Sequence, residues 1–567
     1  MDVNHGRLSR LREGQGEIAN HVIDEYAAGR LSRREFLRRG TVVGISLPIL
    51  GAVISACGGS TTSAPSTSGT GGAAGKAGAS IKVGIIVPAA AINPVTIADQ
   101  GGLDMLGQAG DYLVFSTQHL TLQPMLATSW SPNSTADVWT FKIRQGVKFH
   151  NGAPLTADDV VYTYKLQTNP KNASNALSAF GGGLTPDGVK KVDQFTVAFH
   201  LTAPNGNFPY LVSSDNYNMI IIPNGYDPAK WESSFIGTGP FVMKSYTPKV
   251  GATFARNEQY WGVKALPAAT NFTFYDTMTP MVLALTGGSI DVLGQFAVAG
   301  GEQLLAPGAP YNITNLKSAT HRQLSMRCDK APFTDPRVRQ AIALTLDRPA
   351  IVAALFKGNA SIGNDSPFAP IYPSTNHTIP QRAQDIAKAK SLLSAAGHAS
   401  GFSVPLIGNN TLEIPQYGQI VAQAAKAIGV TIHTTFQDSG TYYGKATFGN
   451  SNWLDATMSL VDYGHRSVPN VYLTAPLQTT NASKGTGSWN AAHFSNAQYD
   501  KLSAQYIAAA DLTTQRQIAG QIETLLLNET PIIFGYFYNY LSASAQNVHG
   551  AYPTPIGHIF VTKVTKS

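Results

Sequence analysis

Residues 138–164 read VWTFKIRQGVKFHNGAPLTADDVVYTY, and the reading of this stretch decides the fold. Residues 138–143 alternate apolar and polar side chains, the period of a half-buried strand. Gly152 and Pro154 make a turn, after which Thr156 and Asp159 form an S/T-x-x-D capping box that opens a helix through Val160, Val161 and Tyr164. A second alternating run follows at 195–201, so a capped helix lies between two strands.

Working outward, further strands are expected at 81–87, 219–222, 241–246, 253–256 and 271–275, which makes the first part of the body strand-rich. Beyond about residue 316 the texture becomes helix followed by strand. Val338, Ala341, Ile342 and Thr345 recur at helical spacing, and Asp347 with Pro349 restarts the chain as a new helix. Ile386, Ala389, Leu393 and Ala396 make another stripe, which Gly397 stops. A helix over 420–428 ends at Gly429 before the alternating strand VTIHTTF, and two more are expected at 499–510 and 514–527. The fold class is therefore α/β, with a mixed second lobe and no internal repeat.

The chain has 567 residues, of which 43% are hydrophobic and only 13% charged, so small polar residues must cover much of the surface. That balance excludes a disordered polyampholyte and a coiled coil. Two Cys cannot staple a disulfide scaffold or build a thiolate zinc site. Residues 32–39, SRREFLRR, precede a charge-free run at 41–56 that is shorter than the ~20 residues needed to span a bilayer. Arg33 and Arg34, followed by Phe36 and Leu37, match the twin-arginine export pattern; an ordinary Sec signal is the alternative. The run closes on Ile54, Ser55, Ala56 and Cys57, a lipobox whose cysteine becomes lipidated and N-terminal. Residues 1–56 thus read as a signal peptide, and without their 8 Lys/Arg and 6 Asp/Glu the net charge is about +5. Residues 57–80 read as a lipidated Cys and a Gly/Ser-rich tether, a coil with a span of roughly 25 Å. This topology places the body outside the cytoplasmic membrane, held by its lipid, and the scattered basic residues give no nucleic-acid site.

There is no GxSxG, HExxH or GxxxxGK[ST] motif, and the 13 histidines show no pair at metal spacing. Cys328 has no base beside it in sequence and reads as a buried structural thiol. No cofactor or metal site is expected, and no enzymatic activity.

An ordered set of stretches resembles the extracytoplasmic solute-binding proteins of peptide, oligopeptide and nickel ABC importers, bacterial solute-binding protein family 5. The strongest is LQPMLATSW (122–130) with WTFKIRQGVKFHNGAPLTADDVVYTY (139–164). GTGPF (237–241), NEQYWG (257–262), GGSIDV (287–292), APFTDPRVRQAIALTLDR (331–348), AKAKSLLSAAG (387–397), FSNAQYDKL (494–502) and NETPII (528–533) follow in order. Most of these residues also have a structural role, and none is assigned to the ligand.

The resemblance implies a two-lobed periplasmic-binding-protein-like fold of class II type, with a ligand enclosed between lobes joined by a hinge. Lobe I would comprise 81–120, 235–315 and 531–567, with an extra subdomain inserted at 121–234; lobe II would be 316–530. It also implies a monomer that delivers its ligand to ABC permease and ATPase subunits. In peptide-binding relatives an Asp in a segment like GWxxDY pairs with the ligand's α-ammonium. MSLVDYGHRSVPN (458–470) matches it, placing Asp462 at the acidic position with Tyr463 beside it. A loop cap or a partner for Arg466 is the structural alternative for Asp462. The Trp common three residues before the acid is Ser459 here, His465 and Arg466 follow, and Arg327 stands where the family often has Asn. Asp plus Arg suits a zwitterion such as a short peptide, whereas His with Arg could hold an anionic or metal-chelate ligand. Trp489 and Trp453 are candidate stacking surfaces, and Tyr112 with Gln118 would contribute from the first lobe. The alternatives to peptide capture are a nickel chelate, an opine or an oligosaccharide in the same role, a secreted hydrolase, or a receptor without a permease.

Overall fold

The structure, a computed structural model, describes Ile23, residues 78–482 and residues 485–567. The expected signal peptide, Arg33, Arg34, Cys57 and the tether through residue 77 lie outside the described residues. Among the described residues no helix is long and apolar enough to cross a membrane.

The stretch 138–164 folds as its pattern requires. Val138–Ile143 is a strand with alternating burial, and Ala157–Thr168 is a helix whose N-terminus carries the full capping box of Thr156 and Asp159. Gly152 takes a positive φ of 87° in the turn between them, a conformation that favours glycine. The strand sits in a four-stranded antiparallel sheet with Ala127–Pro132, Thr196–Leu201 and Leu184–Asp193.

Two larger sheets organise the rest. The first has seven strands, in the order Tyr311–Leu316, Tyr540–Ala545, Val292–Phe296, Ser80–Ile86, Ala269–Tyr275, Gly251–Arg256, Phe241–Thr247. The second has six, in the order Ala360–Ile362, Ile532–Tyr538, His321–Met326, Met458–Tyr463, Phe402–Asn409, Val430–Gln437. The architecture is two-lobed α/β, each sheet mixing parallel and antiparallel pairs. One hydrophobic core joins the first sheet to the inserted one, with Val83, Met105 and Phe272 sharing it with Phe141, Phe199 and Phe208. A separate core, around Leu324, Ile342, Val421 and Leu460, fills the second lobe. Lobe I and the inserted sheet therefore form one packed body.

The helices of the second lobe form where the apolar stripes place them. Pro336–Leu344 starts on Asp335, which caps Arg337 N–H, and Arg348–Phe356 starts on Asp347. Gly397 and Gly429 take φ of 84° and 79° after the helices Ile386–Ala395 and Ile414–Ala425. At GTGPF the reason for glycine is space: a Cβ on Gly237 would lie 2.0 Å from the Ala109 carbonyl oxygen.

Two expectations are corrected. Residues 219–222 form no ladder strand; a helical turn at Tyr217–Met219 leads into buried extended chain, where Ile221 N–H reaches the Asp111 carbonyl. A short apolar run does not distinguish buried coil from strand. The return to lobe I, expected at 531, falls at Asn539, because Ile532–Tyr538 pairs in the second sheet. The chain thus passes between the two large sheets twice, at 317–320 and at Asn539. Tyr538 N–H donates to Thr320 O at 3.0 Å, and Asn539 Nδ2 donates to Asn315 Oδ1 at 2.7 Å, tying the crossings together.

Asp215 is buried in this frame with no hydrogen-bond partner in good geometry for either carboxylate oxygen. It lies near Tyr112, Tyr210 and Tyr372. Burial pushes its carboxyl up to about 7, and Ser116 offsets this only in part. A carboxyl raised above its unfolded value costs nothing below pH 4 and its full penalty, up to about 4 kcal/mol, above pH 7. Asp215→Asn is therefore expected to raise Tm at pH 8 and to leave it nearly unchanged at pH 4, measured by calorimetry at both. Equal shifts at the two pH values contradict this account.

Candidate functional site

The strand Met458–Tyr463 runs through the second sheet and ends at its edge, so Asp462 and Tyr463 stand where the sheet gives way to loop. In register, Asp462 lies opposite Arg322 and Tyr463 opposite His321, and the Tyr463 ring stacks on the His321 ring at 5.6 Å. Asp462 is exposed. Its Oδ1 accepts a 2.5 Å hydrogen bond from the Tyr443 hydroxyl, which also receives the Asp462 N–H at 3.2 Å. Tyr443 closes the short helix Ser439–Tyr443, whose first turn Asp438 caps. Burial, and secondarily the Asp462 carboxylate, raises the Tyr443 hydroxyl well above its ordinary range, so it remains a donor.

Asp462, Tyr463, Arg466, Trp453 and Trp489 line one recess of about 260 Å³, together with Tyr443 and Tyr472. Its walls are aromatic: Tyr463 and Trp489 lie 6.0 Å apart by ring centroid, and Tyr443 meets Trp453 edge-on at 6.0 Å. Arg466 donates to the carbonyl of His465 at 2.9 Å, and among the described residues no carboxylate lies within ion-pairing distance of it. The two charges of the recess are not ion-paired with each other. The volume lies just under the range of about 300–1,000 Å³ usual for ligand pockets and suits a small solute or one end of a longer one.

Three expected residues lie elsewhere. His465 is buried, and its Nδ1 accepts the Ala319 N–H at 2.9 Å, so the ring braces the first crossing instead of facing the recess. Tyr112 is fully buried in the core of the first lobe, its hydroxyl donating to Tyr217 O at 3.3 Å. Gln118 donates through Nε2 to Pro553 O at 2.9 Å and stays on the first lobe. Arg327 is consumed by Asp329, at 2.6 Å, and by the Asp455 carbonyl. Cys328 is half-buried, with its thiol pushed up to about 11 by burial, which makes it a poor nucleophile. Among the described residues no group of three or more His, Cys, Asp or Glu could hold a metal ion.

A second recess, about 210 Å³ and largely apolar, opens between the two sheets beside Asn539, lined by Ile86, Phe296, Phe356, Glu413 and Tyr538. Its one carboxylate is already satisfied. Glu413 accepts from Arg322 at 3.2 Å and from the Tyr536 hydroxyl at 2.8 Å, while Arg322 lies over the Tyr538 ring at 4.8 Å. The unpaired charges therefore lie in the Asp462 recess.

Sequence reasoning missed Tyr443 and Tyr472. Tyr443 follows the Asp438 cap in DSGTYY, a signal for a short helix, but its contact with Asp462 spans 19 residues and has no local trace.

The family model "Bacterial extracellular solute-binding proteins, family 5 Middle" matches residues 121–483. The chain is 24% identical over 439 residues to heme-binding protein A of Haemophilus influenzae, covering 73% of this chain and 78% of that one. It is 26% identical over 477 residues to the periplasmic murein peptide-binding protein MppA of Escherichia coli, covering 79% and 86%. Among solved structures, HbpA2 from Haemophilus parasuis superposes with a TM-score of 0.74 at 22% identity, over 86% of this chain and 100% of that one. That identity supports the fold alone.

Burial pushes His465 and His321 down to about 3 and His558 to about 4. Each is neutral in the folded chain but protonates below its ordinary value when unfolded, so stability falls as the pH drops from 6.5 toward 3. At pH 4.5 one such imidazole accounts for about 2 to 3 kcal/mol of lost stability. His465→Gln is expected to narrow the difference in unfolding free energy between pH 7 and pH 4.5, measured by urea titration. A difference as wide as the parent's refutes the assignment.

Proposed function

The chain belongs to the bacterial extracellular solute-binding proteins of family 5, and from that premise we propose that it captures a short peptide and passes it to an ABC permease. The observation that carries the ligand class is the pair of unneutralised charges on one aromatic recess, Asp462 and Arg466. A carboxylate left with one free oxygen suits an α-ammonium, and a guanidinium without an ion-pair partner suits a carboxylate or a peptide carbonyl. Trp489, Trp453 and Tyr463 supply apolar faces for side chains.

In this reading lobe I is 81–120, 235–316 and 539–567, the inserted subdomain is 121–234, and lobe II is 317–538. The lobes close on the ligand about the crossings at 317–320 and Asn539, and the closed shape is what the permease reads. The protein works as a monomer and without turnover. Arg33 and Arg34 direct its export, and Cys57 carries the lipid that holds it at the outer face of the cytoplasmic membrane. The resemblance to heme-binding protein A supports a second reading, a non-peptide solute in the same recess.

A panel of di- to pentapeptides with free and acetylated N-termini, with heme and nickel–histidine alongside, separates the two readings by thermal shift. Peptides with a free N-terminus are expected to raise Tm, since a ligand that binds only the folded state stabilises it. Asp462→Asn is expected to weaken peptide binding at least tenfold, the loss of one charge-assisted hydrogen bond of about 1.5 kcal/mol or more. Tight binding of acetylated peptides, or of heme alone, contradicts peptide capture through Asp462.

The anchor has its own test. Cys57→Ser is expected to abolish incorporation of radiolabelled palmitate and to move the protein from the membrane pellet to the soluble fraction. Retention in the pellet without label refutes the lipid anchor.

A further inference from the structure

Far along the chain from either crossing, the inserted subdomain meets the second lobe: Val468 packs into the core of the first lobe, Tyr210 packs against the cluster around Tyr472, and beside them lies a hydrogen-bonded patch. Trp139 Nε1 donates to Asn205 O at 3.1 Å, and Asn205 N–H donates to Ala136 O at 2.9 Å, so this loop is fixed to the inserted sheet. From that anchorage Gly206 N–H donates to Ile507 O at 2.8 Å, at the end of the helix Ala497–Ala508. Asn207 Nδ2 donates to Asn470 Oδ1 at 3.0 Å, and Gln515 Nε2 donates to Asn207 Oδ1 at 2.9 Å. All three amide side chains are buried.

The contact leaves no room for a side chain. A Cβ on Gly206 would lie 1.9 Å from the Ala509 carbonyl oxygen and 2.7 Å from Ala510 Cα, both backbone atoms of the second lobe. The φ of Gly206 lies outside the left-handed region, so its own conformation would accept alanine. Glycine is required here by the opposite lobe alone.

We propose that Gly206 and Asn207, with Ile507, Asn470 and Gln515, form a clasp that holds the two lobes closed and must break for the cleft to open. The chain joins the lobes only at 317–320 and Asn539, and Gly206 belongs to the packed body of lobe I. Gly206 and Ile507 belong to opposite lobes, so a rotation that opens the lobes at this point separates them. Asn470 begins the helix Asn470–Thr474, whose next residue, Val471, lines the Asp462 recess, so the clasp is tied to the recess wall through that helix while its own hydrogen bonds involve none of the charged residues there. The buried amides favour a reversible contact: each is satisfied across the interface when closed and by water when open, so the net gain is small. The inference rests on the proposed capture role, in which the lobes open and close.

The test is hydrogen–deuterium exchange, resolved to single amides, on ligand-free full-length protein: the parent, Gly206→Ala and Gln515→Ala. In the parent the Gly206 amide is expected to exchange faster than the slowest amides of the strand Met458–Tyr463, which report global unfolding. Both variants are expected to speed exchange at residues 206–208 and 509–512 at least tenfold, while the Met458–Tyr463 amides keep their parent rates. Small-angle scattering is expected to show a larger radius of gyration for both. Gln515 Nε2 also donates to Ala509 O within its own lobe at 2.9 Å, so the change that reports the contact is the one seen across it: faster exchange at 206–208 in Gln515→Ala and at 509–512 in Gly206→Ala, with an intact core. Folded variants with parent rates at both segments overturn the clasp. So does a parent Gly206 amide that exchanges only with global unfolding. Neither outcome bears on ligand class, which the peptide panel decides separately.

Discussion

Among the described residues the chain passes between its two large sheets only at 317–320 and at Asn539, and the rest of the molecule is arranged around that constraint. The remaining contacts between the lobes are non-covalent, with Val468 of the second lobe packed into the core of the first. The crossings are stiffened by local polar bonds. Ser318 Oγ donates to Tyr538 O at 2.7 Å, Asn315 Nδ2 donates to Asn359 Oδ1 at 2.8 Å, and His465 accepts from Ala319. His465, one residue from Arg466, thus links the hinge to the recess wall. The ring is kept neutral by burial, so the link needs no counter-charge.

The recess itself is built by the end of one strand. Alternation sends Asp462 toward Arg322 and Tyr463 toward His321, and because the strand ends there, side chains of both faces border the same space. The Arg322–Glu413 pair is closed on itself and shielded by Tyr538, whereas Asp462 and Arg466 are left unpaired. Keeping two like-sized opposite charges near one another but uncombined costs little while the recess is wet. In a recess without water it would be expensive unless a ligand supplied the counter-charges.

How much was legible depended on the range of the interactions. The capping box of Thr156 and Asp159, the Asp335 and Asp347 caps, and the glycine stops at 397 and 429 are local devices, and each acts where its pattern stands. Asp462, Tyr463, Arg466, Trp453 and Trp489 were named one by one, and the structure brings them together. Tyr112 lies in the core of the first lobe, and an aromatic residue near a family motif looks the same in sequence whether it lines a cleft or fills a core. Its burial depends on packing against Tyr217 and His558, far along the chain. The place of His465 was hidden for a similar reason, since only the path of residue 319 back across the sheet gives its Nδ1 a donor.

By itself the sequence determined the α/β character, the order of most helices and strands, and the family, since these follow from periodicity, caps and ordered motifs within short windows. Only the tertiary structure decided where lobe I resumes, because Ile532–Tyr538 is apolar enough for either sheet and its partner His321–Met326 lies two hundred residues away. It alone decided which charges stay free, since Arg327 and Arg322 are neutralised by distant or folded-back carboxylates while Arg466 is not. It also gave Gly206 its reason, a backbone of the opposite lobe standing where a Cβ would be.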